Sequence, residues 1–184
     1  MANCCNCENS NCGCGCGGWY PPMPGPMGPM GPIGPRGPQG APGGVLGYAD
    51  FYALMPPDNT AAVAAGTDVE FPRTGSISGD GISRVSASTF NLAEPGTYLV
   101  LYQLSTVGGA QSVLTLNGAE LPSTVVGRVT GASELAAMSL VTTTVPNSTL
   151  SVRNPAGETS AITLTPNAGG TNPVSAHLVI VRIA

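Results

Sequence analysis

An all-β fold is what the 184-residue sequence predicts: a jelly-roll sandwich head preceded by a short collagen-like triple-helical stalk and a disordered Cys-rich N-terminus. Three observations predict it. Residues 1–47 hold half of the 26 glycines, half of the 18 prolines and all six cysteines, so a quarter of the chain has little apolar surface with which to build a core. From Gly25 to Gly43 every third residue is glycine. Beyond residue 45 the chain alternates apolar and polar residues in short runs, broken at regular intervals by Gly, Pro and Asn. The organisation that follows is residues 1–24 as a Cys-rich anchor, 25–43 as stalk and 45–184 as head.

The leader carries Cys4, Cys5, Cys7, Cys12, Cys14 and Cys16 among Asn and Gly. Clustered thiolates suit soft metals such as zinc or copper(I), yet zinc fingers use two well-separated C-x2–4-C pairs, and the surrounding residues offer no scaffold. Thiols separated by zero or one residue close a bridge within one chain only with strain, because a disulfide needs Cα atoms ~4.4–6.8 Å apart with suitable Cβ geometry. Inter-chain cross-linking and anchoring is the favoured reading. Metal binding by the same six cysteines and an unstructured reduced tail are the alternatives.

In the stalk Gly25, Gly28, Gly31, Gly34, Gly37, Gly40 and Gly43 frame six Gly-X-Y triplets, with Pro at X in five of them. Three polyproline-II chains must each bring a residue to a crowded common axis, and only glycine fits there. The strict period argues against a flexible Gly/Pro linker and calls for three chains. Eighteen residues reach only ~55 Å and give few contacts between chains, so the head is expected to hold the trimer together.

The head reads as strands throughout. Thr149–Arg153 and Ala161–Thr165 alternate cleanly. Asn117-Gly118 and Asp80-Gly81 read as two-residue turns. Thr60–Ala65, rich in alanine and bounded by Pro57 and Gly66, has room for one helical turn at most. Eight or more short strands at this spacing predict a sandwich or jelly roll.

Two strands are apolar on both faces. In Thr97–Ser105, Tyr98, Val100, Tyr102 and Leu104 form one face, and Leu99 and Leu101 lie on the other. In Ala176–Ile183, Leu178 and Ile180 oppose Val179, Val181 and Ile183. A sandwich strand needs one apolar face, so a strand with two must be covered twice, here by the second sheet and by a neighbouring subunit. His177, the only histidine, falls in phase with Val179 and Val181. The predicted trimer interface is Leu99, Leu101, His177, Val179, Val181 and Ile183, with His177 as a packed structural residue. If three copies of His177 met at the threefold axis, low pH would loosen the trimer.

The net charge of −4 and six scattered arginines, with no lysine, exclude nucleic acid as a partner. Only 9% of residues are charged, a composition suited to an assembly whose neighbours cover part of the surface. No run approaches the ~18–20 apolar residues of a membrane span. The first eighteen residues lack the basic start and apolar stretch of a secretory signal, so synthesis in the cytosol without conventional export is expected. The acids, Asp50 among them, show no calcium-loop spacing and read as solvated surface charges. Phosphate-binding, zinc-protease and nucleophile-elbow motifs are missing, so neither an enzyme nor a cofactor is expected.

A Gly-X-Y run entering an all-β head with the segments GISRVSASTFNLAEPGTYLVLYQLS (81–105), VLTLNGAEL (113–121) and PVSAHLVIVRI (173–183) resembles the bacterial collagen-like spore-surface proteins of the exosporium. The resemblance implies the trimeric jelly roll of tumour necrosis factor and the complement globular heads. It also implies display on a filament at the outer surface of a spore, assembled from the mother-cell cytosol, with other spore-surface or coat proteins engaged through the Cys-rich N-terminus. Two features depart from that family. Its stalks are longer and rich in Thr at Y, whereas Y here is Met27, Met30, Ile33, Arg36, Gln39 and Pro42, and the Cys-rich leader is different. A receptor- or ligand-binding head of an adhesin or phage tail fibre is the alternative function, and a metal-storing thiol protein a third.

Overall fold

A computed structural model describes residues 22–37, 44–131, 133–165 and 174–184. The chain divides into two units, Met1–Gly40 and Ala41–Ala184. Cys4, Cys5, Cys7, Cys12, Cys14, Cys16, Gly40 and Gly43 lie outside the described residues. Within 22–37 no helix or strand forms, and Met23, Met27, Met30 and Ile33 are each more than nine-tenths exposed.

The second unit is built from two six-stranded sheets, with every described pairing antiparallel. The first sheet contains β1 (Gly47–Leu54), β2 (Arg73–Ser78), β5 (Gly96–Val107), β9 (Ser133–Thr143), β11 (Thr163–Leu164) and β12 (Val174–Arg182). Its order is β11-β5-β12-β1-β2, with β9 also paired to β5. The second contains β3 (Ile82–Arg84), β4 (Phe90–Leu92), β6 (Ala110–Leu116), β7 (Ala119–Glu120), β8 (Val126–Arg128) and β10 (Ser148–Arg153). Its order is β3-β4-β10-β6-β7, with β8 on β6. One 3-10 turn, Pro122–Thr124, follows β7.

The core lies between the sheets and is drawn from alternate residues of each strand. From the first sheet come Phe51, Tyr98, Val100, Leu104, Leu178 and Ile180, all fully buried; from the second, Phe90, Leu92, Leu114, Leu150 and Val152. Phe90 seals the two layers, its ring centroid 4.4 Å from Phe51 and 6.0 Å from Phe71. Each such side chain contributes ~1.5–3 kcal/mol by leaving water. The one hydroxyl that Tyr102 brings into the interior meets Ser112 Oγ at 2.9 Å. Burial raises the Tyr102 pKa above its ordinary value, and the Ser112 hydrogen bond offsets only part of that.

Three local expectations meet the structure differently. Asn117-Gly118 is a two-residue hairpin turn between β6 and β7, both residues at positive φ (51° and 80°), and Asn117 Oδ1 accepts a hydrogen bond from Thr149 N at 2.8 Å. Asp80-Gly81, by contrast, is no hairpin: the chain there leaves β2 in one sheet for β3 in the other, and the positive φ belongs to Gly79. Thr60–Ala65 forms no helical turn. Val63 instead makes an isolated bridge with Ile162, with hydrogen bonds of 2.8 and 2.9 Å, and both side chains enter the core. Burial of Val63, whose carbonyl also accepts from Asn154 Nδ2 at 3.0 Å, outweighs the helix preference of its alanine neighbours.

Candidate trimer interface

The outward face of the first sheet carries the predicted site. Pairing registers align it in three rows across β9, β5, β12 and β1. The first row is Leu140, Leu99, Val181 and Tyr48; the second Met138, Leu101, Val179 and Asp50; the third Ala136, Gln103, His177 and Tyr52. Each row arises because side chains alternate along β5 and β12, which in the first two rows are apolar in both phases. Their inner residues fill the core, and the residues between them must then point out.

Leu99, Leu101, His177, Val179 and Val181 therefore lie together on one face, each half-buried by its neighbours alone. Ile183 stands just past β12, 40% exposed, where its N–H donates to Thr97 O at 2.9 Å. Met138 and Leu140 are 69% and 63% exposed. A depression of about 460 Å³ opens between Leu101, Gln103, Ala136, Met138, His177 and Val179. Among the described residues no group of three or more His, Cys, Asp or Glu is placed to hold a metal.

Sequence reasoning missed β9 and β1. The signal in β9 was present: Leu135 and Val141 face inward, while Ala136, Met138 and Leu140 between them face out. In β1 the outward residues are Tyr48, Asp50 and Tyr52. Asp50 was expected to be a solvated surface charge. Its Oδ1 instead lies 2.5 Å from His177 Nε2, and its carboxylate sits over Gly75 of β2, where any side chain would displace it. The edge of the face beyond Tyr52 is closed by Arg73, whose Nε donates to Asp58 Oδ2 at 2.6 Å. Burial of the Asp58 carboxyl pushes its pKa up, but the hydrogen bonds from Arg73 and Leu54 N and the Arg73 charge together outweigh that and hold it below the usual carboxylate range.

Two antiparallel six-stranded sheets closed over one core make a jelly-roll sandwich. Murine APRIL at pH 8.0 has the same fold: TM-score 0.52 at 15% identity, over 74% of this chain and 98% of that one. The pH 5.0 form of murine APRIL gives TM-score 0.50 at 14% identity over the same shares. The globular domain of zebrafish complement 1qA protein aligns over 73% of this chain and 93% of its own, with 16% identity and TM-score 0.49. No curated protein matches the sequence. The BclA C-terminal domain matches residues 56–184, and the chain belongs to that family.

Proposed function

We propose that this chain is a structural surface protein that assembles as a homotrimer through the outward face of the first sheet. One observation carries the reading: a face with three apolar residues in its first row, Leu140, Leu99 and Val181, lies on the reverse of the core, where water alone covers it in a single chain. Apolar patches of this continuity mark sites of protein association. The number three comes from the Gly-X-Y repeat, which has no stable use for one chain or two. Leu99, Leu101, His177, Val179, Val181 and Ile183 from the sequence, joined by Met138, Leu140 and Tyr48, make the contact.

In this reading the head nucleates assembly. The glycines of residues 25–43 then line the axis of a short triple helix that projects the head, and the six cysteines of the leader fix the trimer to a layer through inter-chain disulfides. Membership of the BclA C-terminal domain family supports the outer layer of a bacterial spore as the place, and a structural rather than a catalytic role. Among the described residues no helix is long and apolar enough to cross a membrane.

Sedimentation of the full chain under reducing conditions tests the assembly. A trimer is expected, and it is expected to persist when residues 25–43 are deleted; a monomer in both would refute the reading. Immunogold labelling of sporulating and vegetative source cells tests the place. Label confined to the outermost spore layer supports it, and label on vegetative cells or released phage particles overturns it in favour of a binding head.

A further inference from the structure

The apolar rows hold one ionisable pair, His177 and Asp50, with Nε2 and Oδ1 2.5 Å apart and side chains 41% and 29% exposed in the single chain. Apart from Asp50 itself, the groups around the imidazole are uncharged or engaged elsewhere. From β1 come Asp50 and Tyr52, and Tyr52 lies directly opposite in register. From β5 comes Gln103, also directly opposite, and beyond it on β9 stands Ala136. On β12 itself the neighbours on that face are Val179 and the buried Ser175, whose hydroxyl donates to Ala53 O at 3.4 Å. Further along the same face in register stand the charges of Arg73 of β2, opposite Tyr52 and bound to Asp58, and Glu134 at the end of β9, opposite Ser105.

Resting on the trimer reading above, we infer that assembly takes up protons through the His177–Asp50 pair, so that the trimer tightens as pH falls through the neutral range. Covering the face with a neighbouring subunit removes the pair from water. With one proton shared between imidazole and carboxylate the buried pair is neutral overall; without it, a lone carboxylate is left in an apolar interface, which is strongly unfavourable. The sign is opposite to that expected of His177 alone, where a buried imidazolium would loosen the trimer in acid. Asp50 reverses it, and Gly75 leaves the space that lets Asp50 reach across.

A process that binds protons is weakened by raising pH, and one proton per chain makes three per trimer. The monomer–trimer association constant then falls by as much as ~10³ per pH unit above the range in which free histidine titrates. The full chain, reduced so that cysteine cross-links do not hold it together, is followed by sedimentation at about pH 6 and about pH 8.5. A guanidinium midpoint at each pH replaces it if the trimer is too tight to dissociate. The wild type is expected to be weaker at the higher pH. Asp50→Asn is expected to reverse the slope, and the double variant Asp50→Asn/His177→Gln to abolish it. A wild-type trimer insensitive to pH, or weaker at the lower pH, overturns the inference, as does a double variant that keeps the wild-type slope. A chain that is monomeric at both values refutes the trimer itself, a separate failure read from the same runs.

Discussion

The two sheets of the head turn very different faces to the outside. The reverse of the second sheet carries Thr115, Thr149, Ser151 and Arg153, with Thr115 and Ser151 buried even there, and each has a hydrogen-bond partner within the chain. Thr115 Oγ1 meets Ser151 Oγ at 2.6 Å, Thr149 N donates to Asn117 Oδ1, and Arg153 Nε donates to Asp68 Oδ1 at 2.7 Å. The hydrogen bond to Asp68 raises the Arg153 pKa further, with burial opposing it, so the guanidinium stays charged. The first sheet presents Leu99, Leu101, Met138, Leu140, Val179 and Val181, which have nothing to satisfy except their loss of water. One face is complete within a single chain and, in the trimer proposed above, the other is not. A strand that alternates has its surroundings settled by its own sheet, whereas a strand apolar in both phases needs a second surface from elsewhere.

The largest effect is expected from a charge placed on the incomplete face. Leu101→Asp would bury three unpaired carboxylates in the trimer, at ~3–5 kcal/mol each, and sedimentation should show only monomer or aggregate. Ser83→Asp, on the exposed outside of the second sheet, should change assembly by no more than ~0.5 kcal/mol. A trimer that survives Leu101→Asp would place the interface elsewhere.

The same substitution on the two sides of the first sheet gives the next largest contrast. Leu178 is fully buried and Leu140 is 63% exposed in the single chain. Leu178→Ala should lower the stability of the head by ~2–5 kcal/mol in a denaturant titration. Leu140→Ala should cost the head less than ~1 kcal/mol and be felt instead as a higher concentration for half-assembly. On the completed face, Ser151→Ala should cost the head ~1 kcal/mol, because Thr115 loses its hydroxyl partner, and leave assembly unchanged.

Much of this asymmetry is legible in the sequence. Tyr98 to Leu104 and Ala176 to Ile183 show their double phase directly, because the side-chain period in a strand is two and needs no knowledge of partners. The Asn117-Gly118 turn is equally local. What is not legible depends on pairing between distant segments. His177 finds Asp50 only because β12 lies beside β1, 127 residues earlier. Met138 and Leu140 become part of the face only because β9 pairs with β5. Asp80-Gly81 has turn chemistry that serves a crossing between sheets, and Val63 abandons an alanine-rich local preference for a place in the core. In each case tertiary burial decides what local propensity leaves open.

The smallest expected effect lies at the rim, where the apolar face ends at Arg73 and Asp58. The pair is close, 2.6 Å, but Arg73 remains 37% exposed, and solvent screening leaves ion pairs of that kind with only a small contribution. Because Asp58 is held below the usual carboxylate range in the folded head, its contribution is complete above the pH at which an unfolded aspartate titrates, about 4, and is lost as pH falls below that through the folded value. Asp58→Asn should therefore destabilise the head slightly at neutral pH and should remove a small part of the acid limb of its stability curve, measured by circular dichroism. It should leave the trimer as it was, because Arg73 then faces water at the edge of the interface and not its interior. A loss of assembly in Asp58→Asn as large as that in Leu101→Asp would mean that the contact extends over β2, and that the rim belongs to the incomplete face.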